Sequence, residues 1–257
     1  MIRLLLTGIN YTGTQSQLRG CLNDASNIDA LLSQYEIAEK IILLEQEATK
    51  ANILAALASL ISKSQEGDKI FFHYSGHGTQ VPDRHGDEID GMDEALVPYD
   101  YASGGLIIDD ELYNVFRNLV PGAHLVVLLD CCHSGDSTKD FSLDYKKSRS
   151  VTLFEAPSGL PINSIKQVAT EINLDATMGN MILLSGCQSD QTSADAFINE
   201  TFQGAFTFAL TNLLKQTPNL TYRNLCLQLN EVMNMMGFEQ NPQLYCSEEH
   251  ADLEIIK

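Results

Sequence analysis

The chain has 257 residues, 44% of them hydrophobic, enough to bury one sizeable core. Its 16 basic and 34 acidic side chains leave a formal net charge of −18, which repels nucleic-acid phosphates and anionic membranes and favours cationic partners. No run reaches the roughly 18 apolar residues of a membrane span, and MIRLLLTGIN lacks the basic start of an export signal, so a soluble, cytoplasmic chain is expected.

Short apolar runs predict strands at Ile2–Ile9, Ile41–Leu44, Lys69–Tyr74, Leu125–Leu129 and Met181–Leu184, with a weaker one at Gln243–Cys246. Helical spacing predicts helices over Asp24–Tyr35, over Lys50–Ser62 behind a Thr49 cap, and from a cap at Asp109 or Asp110 to Leu119. Two more are predicted over Phe206–Leu214 and over Tyr222–Met236, the last stopped by Gly237. Alternating strands and helices with right-handed crossovers give an α/β three-layer sandwich around a mostly parallel sheet. Such sheets carry their reactive loops at the carboxyl ends of the strands. The turn-rich stretches Gly78–Gly105 and Gly135–Thr177 read as excursions above that edge, within a single domain.

Six cysteines, none in a C-x-x-C unit, are too few and too dispersed for a disulfide scaffold or a zinc ribbon, so free thiols are expected. Two strand ends stand out. FFHYSGHG, residues 71–78, delivers His77 between two glycines, where an exposed imidazole can take a thiol proton; a histidine merely bonded in a turn fits the motif equally well. HLVVLLDCCHSGD, residues 124–136, delivers Asp130, Cys131 and Cys132 to a glycine turn. Strand alternation sends the two cysteines to opposite faces, and Cys132 lies beside the amides of His133, Ser134 and Gly135, which suit an oxyanion. The 55 residues from His77 to Cys132 match the interval of roughly 50 in caspase-type peptidases.

On these motifs, and on QLRGCLNDA, SGCQSDQTSADA and GAFTFAL at residues 17–25, 185–196 and 204–210, the chain resembles the metacaspases, cysteine peptidases related to caspases. The resemblance implies a caspase-like fold, Cys132 as nucleophile, His77 as base and acid, and cleavage of peptides after arginine or lysine. It places Cys21, Asp24, Ser75 and Asp130 in the pocket for the residue before the scissile bond, although Asp24 by itself reads as a helix cap. Arg19 is the residue that supports a competing acidic-substrate model. The resemblance also makes Asp93, Asp109 and Asp110, with Asp140, ligands of an activating calcium; the plain reading of this acidic stretch is a solvated face. No organic cofactor is expected, and a monomer is.

By the same resemblance the chain divides into a large-subunit-like region of about 1–145, a connecting excursion of about 146–177 and a small-subunit-like region of about 178–257. The segment after Gly135 holds Lys139, Lys146, Lys147, Arg149 and Lys166, basic sites for self-processing in a stretch expected to be accessible. A recruitment domain ahead of the first strand, found in some family members, is not expected. The alternatives are a caspase-fold peptidase of other specificity and a catalytically weak interaction module.

Overall fold

The computed structural model describes residues 1–82, 92–131, 146–149, 179–188, 191 and 193–256. Its centre is a six-stranded sheet of β1 (Ile2–Gly8), β2 (Ile37–Leu44), β3 (Lys69–Ser75), β7 (His124–Asp130), β9 (Met181–Ser185) and β12 (Gln243–Tyr245), in the order β12-β9-β7-β3-β1-β2. All neighbours run parallel except β12, which lies antiparallel on the edge of β9. Every strand expected from an apolar run is present, with β2 beginning four residues early at Ile37.

Alternation along these strands divides the interior into two cores. Leu4, Leu6, Phe71, Val126, Leu128, Ile182 and Leu184 pack on one face against α1 (Cys21–Leu32), α5 (Ala205–Gln216) and α6 (Tyr222–Met236). Leu5, Ile70, Phe72, Tyr74, Leu125 and Val127 pack on the other against α2 (Lys50–Lys63) and α4 (Asp109–Phe116), the single-turn α3 (Tyr101–Gly104) falling between these two in sequence. A period of two in strands buried on both sides produces this three-layer arrangement.

Capping agrees with the sequence in part. The Thr49 hydroxyl accepts from the Asn52 amide, and Gly237 takes the left-handed conformation that ends α6. Asp24, however, is no cap: Gly20 precedes α1, and Asp24 is buried in the first turn with its carboxylate turned to other partners. Neither Asp109 nor Asp110 is the N-cap of α4. That position is Ile108, whose amide donates to Glu111 Oε2 at 3.2 Å, and the helix ends at Phe116.

Two further sheets sit above the carboxyl edge. One consists of β4 (Gly78–Pro82), β5 (Met92–Leu96) and β6 (Ile107–Ile108), the other of β11 (Thr201–Gly204), β10 (Ala194–Ile198) and β8 (Lys146–Ser148). Both hold stretches whose mixed polar sequence lacks an apolar run. In register, Gly8 lies beside Ser75 and Ser75 beside Asp130, so three strands end in line. Ser75 shares the parity of Phe71, and Asp130 that of Leu128, which turns both toward α1 and α5. Among the described residues no helix is long and apolar enough to cross a membrane.

His73, on the same face, is fully buried with Nε2 3.3 Å from Thr207 Oγ1. Burial above all, opposed by Asp130 and aided by Arg149, pushes its pKa down to about 4. The folded state therefore keeps it neutral while the unfolded chain protonates it near 6.5. Its stabilisation is complete above that value and is lost as pH falls toward 4, a term of about 3 kcal/mol. Urea midpoints measured from pH 7 to pH 4 should fall less steeply in His73→Gln than in the wild type; identical slopes would remove His73 as the cause.

Candidate active site

At the carboxyl edge, Ser75, Asp130, Asp24 and Asp195 converge on one side chain, Arg149, which is fully buried. Its Nη2 donates to Asp24 Oδ2 at 2.7 Å and to Asp195 Oδ1 at 3.2 Å. Its Nη1 donates to Ser75 Oγ at 2.6 Å and to the Asp130 carbonyl at 3.0 Å, and lies 3.2 Å from Asp130 Oδ1. Burial lowers the guanidinium's pKa, but Asp130, Cys21, Asp24 and Asp195 outweigh it and raise the pKa well above the ordinary value. Arg149 belongs to a stretch expected to be accessible. It is 0% exposed, and three buried carboxylates meet its charge.

The carboxylates are held before they meet the cation. Asp130 accepts from Ser193 Oγ at 2.7 Å, the Thr207 amide at 3.0 Å and Thr207 Oγ1 at 2.6 Å. Asp24 accepts from Ser75 Oγ at 2.7 Å and from the Gly204 amide at 2.8 Å. Burial and then the neighbouring Asp130 push Asp24 upward, with Arg149 pulling the other way. A side chain at Gly204 would meet the Asp130 carboxylate and Arg149 itself, which explains the glycine in GAFTFAL. Cys21, fully buried alongside, has its thiol pKa raised by burial against the pull of Arg149.

Asp195 is the member that sequence reading missed. Its Oδ2 accepts from the Arg19 amide at 2.8 Å and its Oδ1 from the Gly20 amide at 2.9 Å, which ties β10 to the entry of α1. The available signal was an aspartate between alanines in a short strand, where a buried charge demands a partner. Arg19 turns away from this cluster, with its guanidinium 4.8 Å from the centre of the Phe202 ring.

His77 was expected to be exposed but is 2% exposed, packed 4.7 Å from the Tyr11 ring. A side chain at Gly76 would crowd the Tyr74 and Tyr11 hydroxyls, so the glycine leaves room for both tyrosines. Its Nε2 lies 2.6 Å from the Ser16 carbonyl. A carbonyl only accepts, so Nε2 carries the hydrogen in the neutral ring and Nδ1 is the basic nitrogen. The next residue, Gly78, donates its amide to the Arg149 carbonyl at 3.0 Å. Cys131 is buried in the core shared with α2, whereas Cys132, His133, Ser134 and Gly135 lie outside the described residues.

For calcium, Asp93, Asp109 and Asp110 offer the hard oxygen donors that the ion takes. Asp109 is pushed up to about 6, by burial first and then, against its bond from the Asp110 amide, by Asp93 and Asp110. Yet among the described residues no group of three or more His, Cys, Asp or Glu side chains is disposed to hold a metal. Asp140, the fourth expected ligand, lies outside the described residues.

The model of the metacaspase, peptidase C14 domain matches residues 3–140. Metacaspase-1B of Aspergillus fumigatus is 35% identical over 95% of this chain and 69% of its own length. Metacaspase-1 of Schizosaccharomyces pombe is 34% identical over 95% of this chain and 67% of its own. The crystal structure of protein GSU0716 from Geobacter sulfurreducens superposes with a TM-score of 0.71 at 25% identity, covering 100% of this chain and 98% of that one. With a caspase-like sandwich and this breadth of similarity, the chain belongs to the metacaspases, cysteine peptidases of the caspase-like clan.

Proposed function

We propose that the protein is an endopeptidase that cuts after arginine or lysine, with Cys132 as nucleophile and His77 as general base and then acid. The observation that carries this reading is the guanidinium of Arg149 held by Asp24, Asp130 and Asp195. A pocket that holds one buried arginine with charge-assisted hydrogen bonds is chemically suited to the same side chain on a substrate. Cys21 and Ser75 complete its wall. An aspartate there would meet like charges, and a leucine would leave the carboxylates buried without a cation.

The chemistry needs a thiolate, a proton carrier and an oxyanion donor. Nδ1 of His77 is the nitrogen able to take the Cys132 proton and return it to the departing amine. The Gly78 amide, already on a carbonyl beside His77, suits the developing oxyanion. Cys132→Ala should abolish peptide hydrolysis, whereas Cys131→Ala should retain substantial turnover. His77→Ala should lose on the order of 10²- to 10⁴-fold in kcat, the usual range for removing an acid–base residue. A fully active Cys132→Ala protein would overturn the nucleophile assignment.

The two guanidinium nitrogens reach different carboxylates, Nη1 that of Asp130 and Nη2 those of Asp24 and Asp195, which a single ammonium cannot match, so arginyl peptides should be turned over faster than lysyl ones. Breaking a buried pair costs about 3 kcal/mol or more, so Asp130→Asn and Asp24→Asn should each lower kcat/KM for an arginyl peptide by roughly a hundredfold. A panel with arginine, lysine, leucine or aspartate before the scissile bond tests this, and undiminished arginyl selectivity in both variants would refute the acidic pocket.

Calcium enters the same reading at Asp93, Asp109 and Asp110: burial first, and Asp93 and Asp110 after it, raise Asp109, and a divalent cation would offset the like-charge part of that and steady the surrounding loops. Titration calorimetry on chelator-treated protein should then register binding that Asp109→Ala weakens. Absence of heat at millimolar calcium would refute these carboxylates as a calcium site.

A further inference from the structure

The Asp130 carboxylate engages its two oxygens differently. Oδ2 accepts from both the amide and the hydroxyl of Thr207, at 3.0 and 2.6 Å, which occupies its lone pairs. Oδ1, held by Ser193 Oγ at 2.7 Å, is the oxygen turned to the guanidinium in the pocket, 3.2 Å away. The amide bond also serves α5: its N-cap is Gly204, which has no side chain to offer, so Asp130 takes up an N–H of the first turn.

The hydroxyl bond leads to a further residue. A threonine hydroxyl has one hydrogen to donate, and here it goes to Asp130, so Thr207 Oγ1 can only accept from the group 3.3 Å behind it, His73 Nε2. Burial, chiefly, keeps that imidazole neutral, so its single hydrogen sits on Nε2 and Nδ1 is bare. Nδ1 is buried and has no hydrogen-bond partner among the described residues, which costs stability. The strand neighbours of His73 are Leu6 and Leu128, beside which an apolar side chain would pack without that cost. Packing alone does not account for an imidazole at this position.

We propose that His73 is a positioning residue for substrate selectivity: through Thr207 it aims Oδ1 of Asp130 at the fork of an arginine, and so sets how strongly arginine is preferred to lysine before the scissile bond. This rests on the proposed peptidase reading. The Nε2 hydrogen occupies the side of Thr207 Oγ1 that faces His73, which keeps the hydroxyl hydrogen on Asp130 and the carboxylate plane fixed. Without that donor the hydroxyl hydrogen is free to turn away, and the carboxylate is held by the Thr207 amide and Ser193 alone. A guanidinium loses more from a swinging acceptor than an ammonium does. Its donors lie in one rigid plane, whereas the three hydrogens of a lysine rotate to follow the oxygen.

The test is the ratio of kcat/KM for an arginyl peptide to that for the matching lysyl peptide. Both peptides compete with the same Arg149 for the pocket, so that competition cancels in the ratio. His73→Leu and the ring-keeping His73→Phe should each lower it by about three- to tenfold, the range for one net hydrogen bond. His73→Gln, whose amide can donate in place of Nε2, should restore it to within about twofold of wild type. Thr207→Val should lower the ratio at least as far as His73→Leu, and adding His73→Leu to Thr207→Val should change it no further, because the relay is already cut. An unchanged ratio in folded His73→Leu or His73→Phe protein, a His73→Gln protein as impaired as these, or losses that add in the double variant would overturn the inference and leave the peptidase reading standing. No hydrolysis of either peptide by wild type would overturn the peptidase reading, and the inference with it.

Discussion

One buried guanidinium among three buried carboxylates dominates the carboxyl edge of this fold. Removing such ions from water costs several kcal/mol each, and only close, multiply bonded geometry recovers it. The surroundings are built to that requirement. Ser193 and Thr207 hold Asp130, Ser75 and the Gly204 amide hold Asp24, and the amides of Arg19 and Gly20 hold Asp195. Burial pushes Asp24 upward, and because three carboxylates facing one cation leave negative charge in surplus, Asp130 adds to that push.

The pocket is distributed over the whole chain. Ser75 and Asp130 come from adjacent parallel strands, Asp24 from the first turn of α1, and Asp195 from a strand formed more than 60 residues later. Its shape therefore depends on the sheet being complete, and it cannot form in either half alone. His77 is fixed by the same logic: β3 delivers it, Tyr11 packs on its ring, and the Ser16 carbonyl selects its tautomer.

The four inner strands of the central sheet could be read from the sequence because they are largely buried on both faces and so appear as continuous apolar runs such as Leu4–Leu6 and Leu125–Leu129. The strands above the edge could not. Gly78–Pro82, Met92–Leu96 and Ala194–Ile198 mix polar and apolar residues, so no continuous apolar run marks them. Asp24 and Asp195 illustrate the same limit: a carboxylate at a helix start looks like a cap, and one in a short strand looks like solvent decoration, until tertiary pairing brings a cation to them. The Tyr11 ring likewise turned an imidazole expected in water into a buried one.

The antiparallel pairing of residues 146–148 with β10 also bears on which proteins could meet this site. An arginine within a helix has its backbone amides already spent and its neighbours wound to about 1.5 Å of rise per residue, so it cannot present the stretched main chain that the edge of β10 accepts. On the proposed reading, recognition would then test conformation as well as charge: segments without stable structure, frayed termini and loops long enough to be drawn straight would be read, and the arginines on folded surfaces passed over.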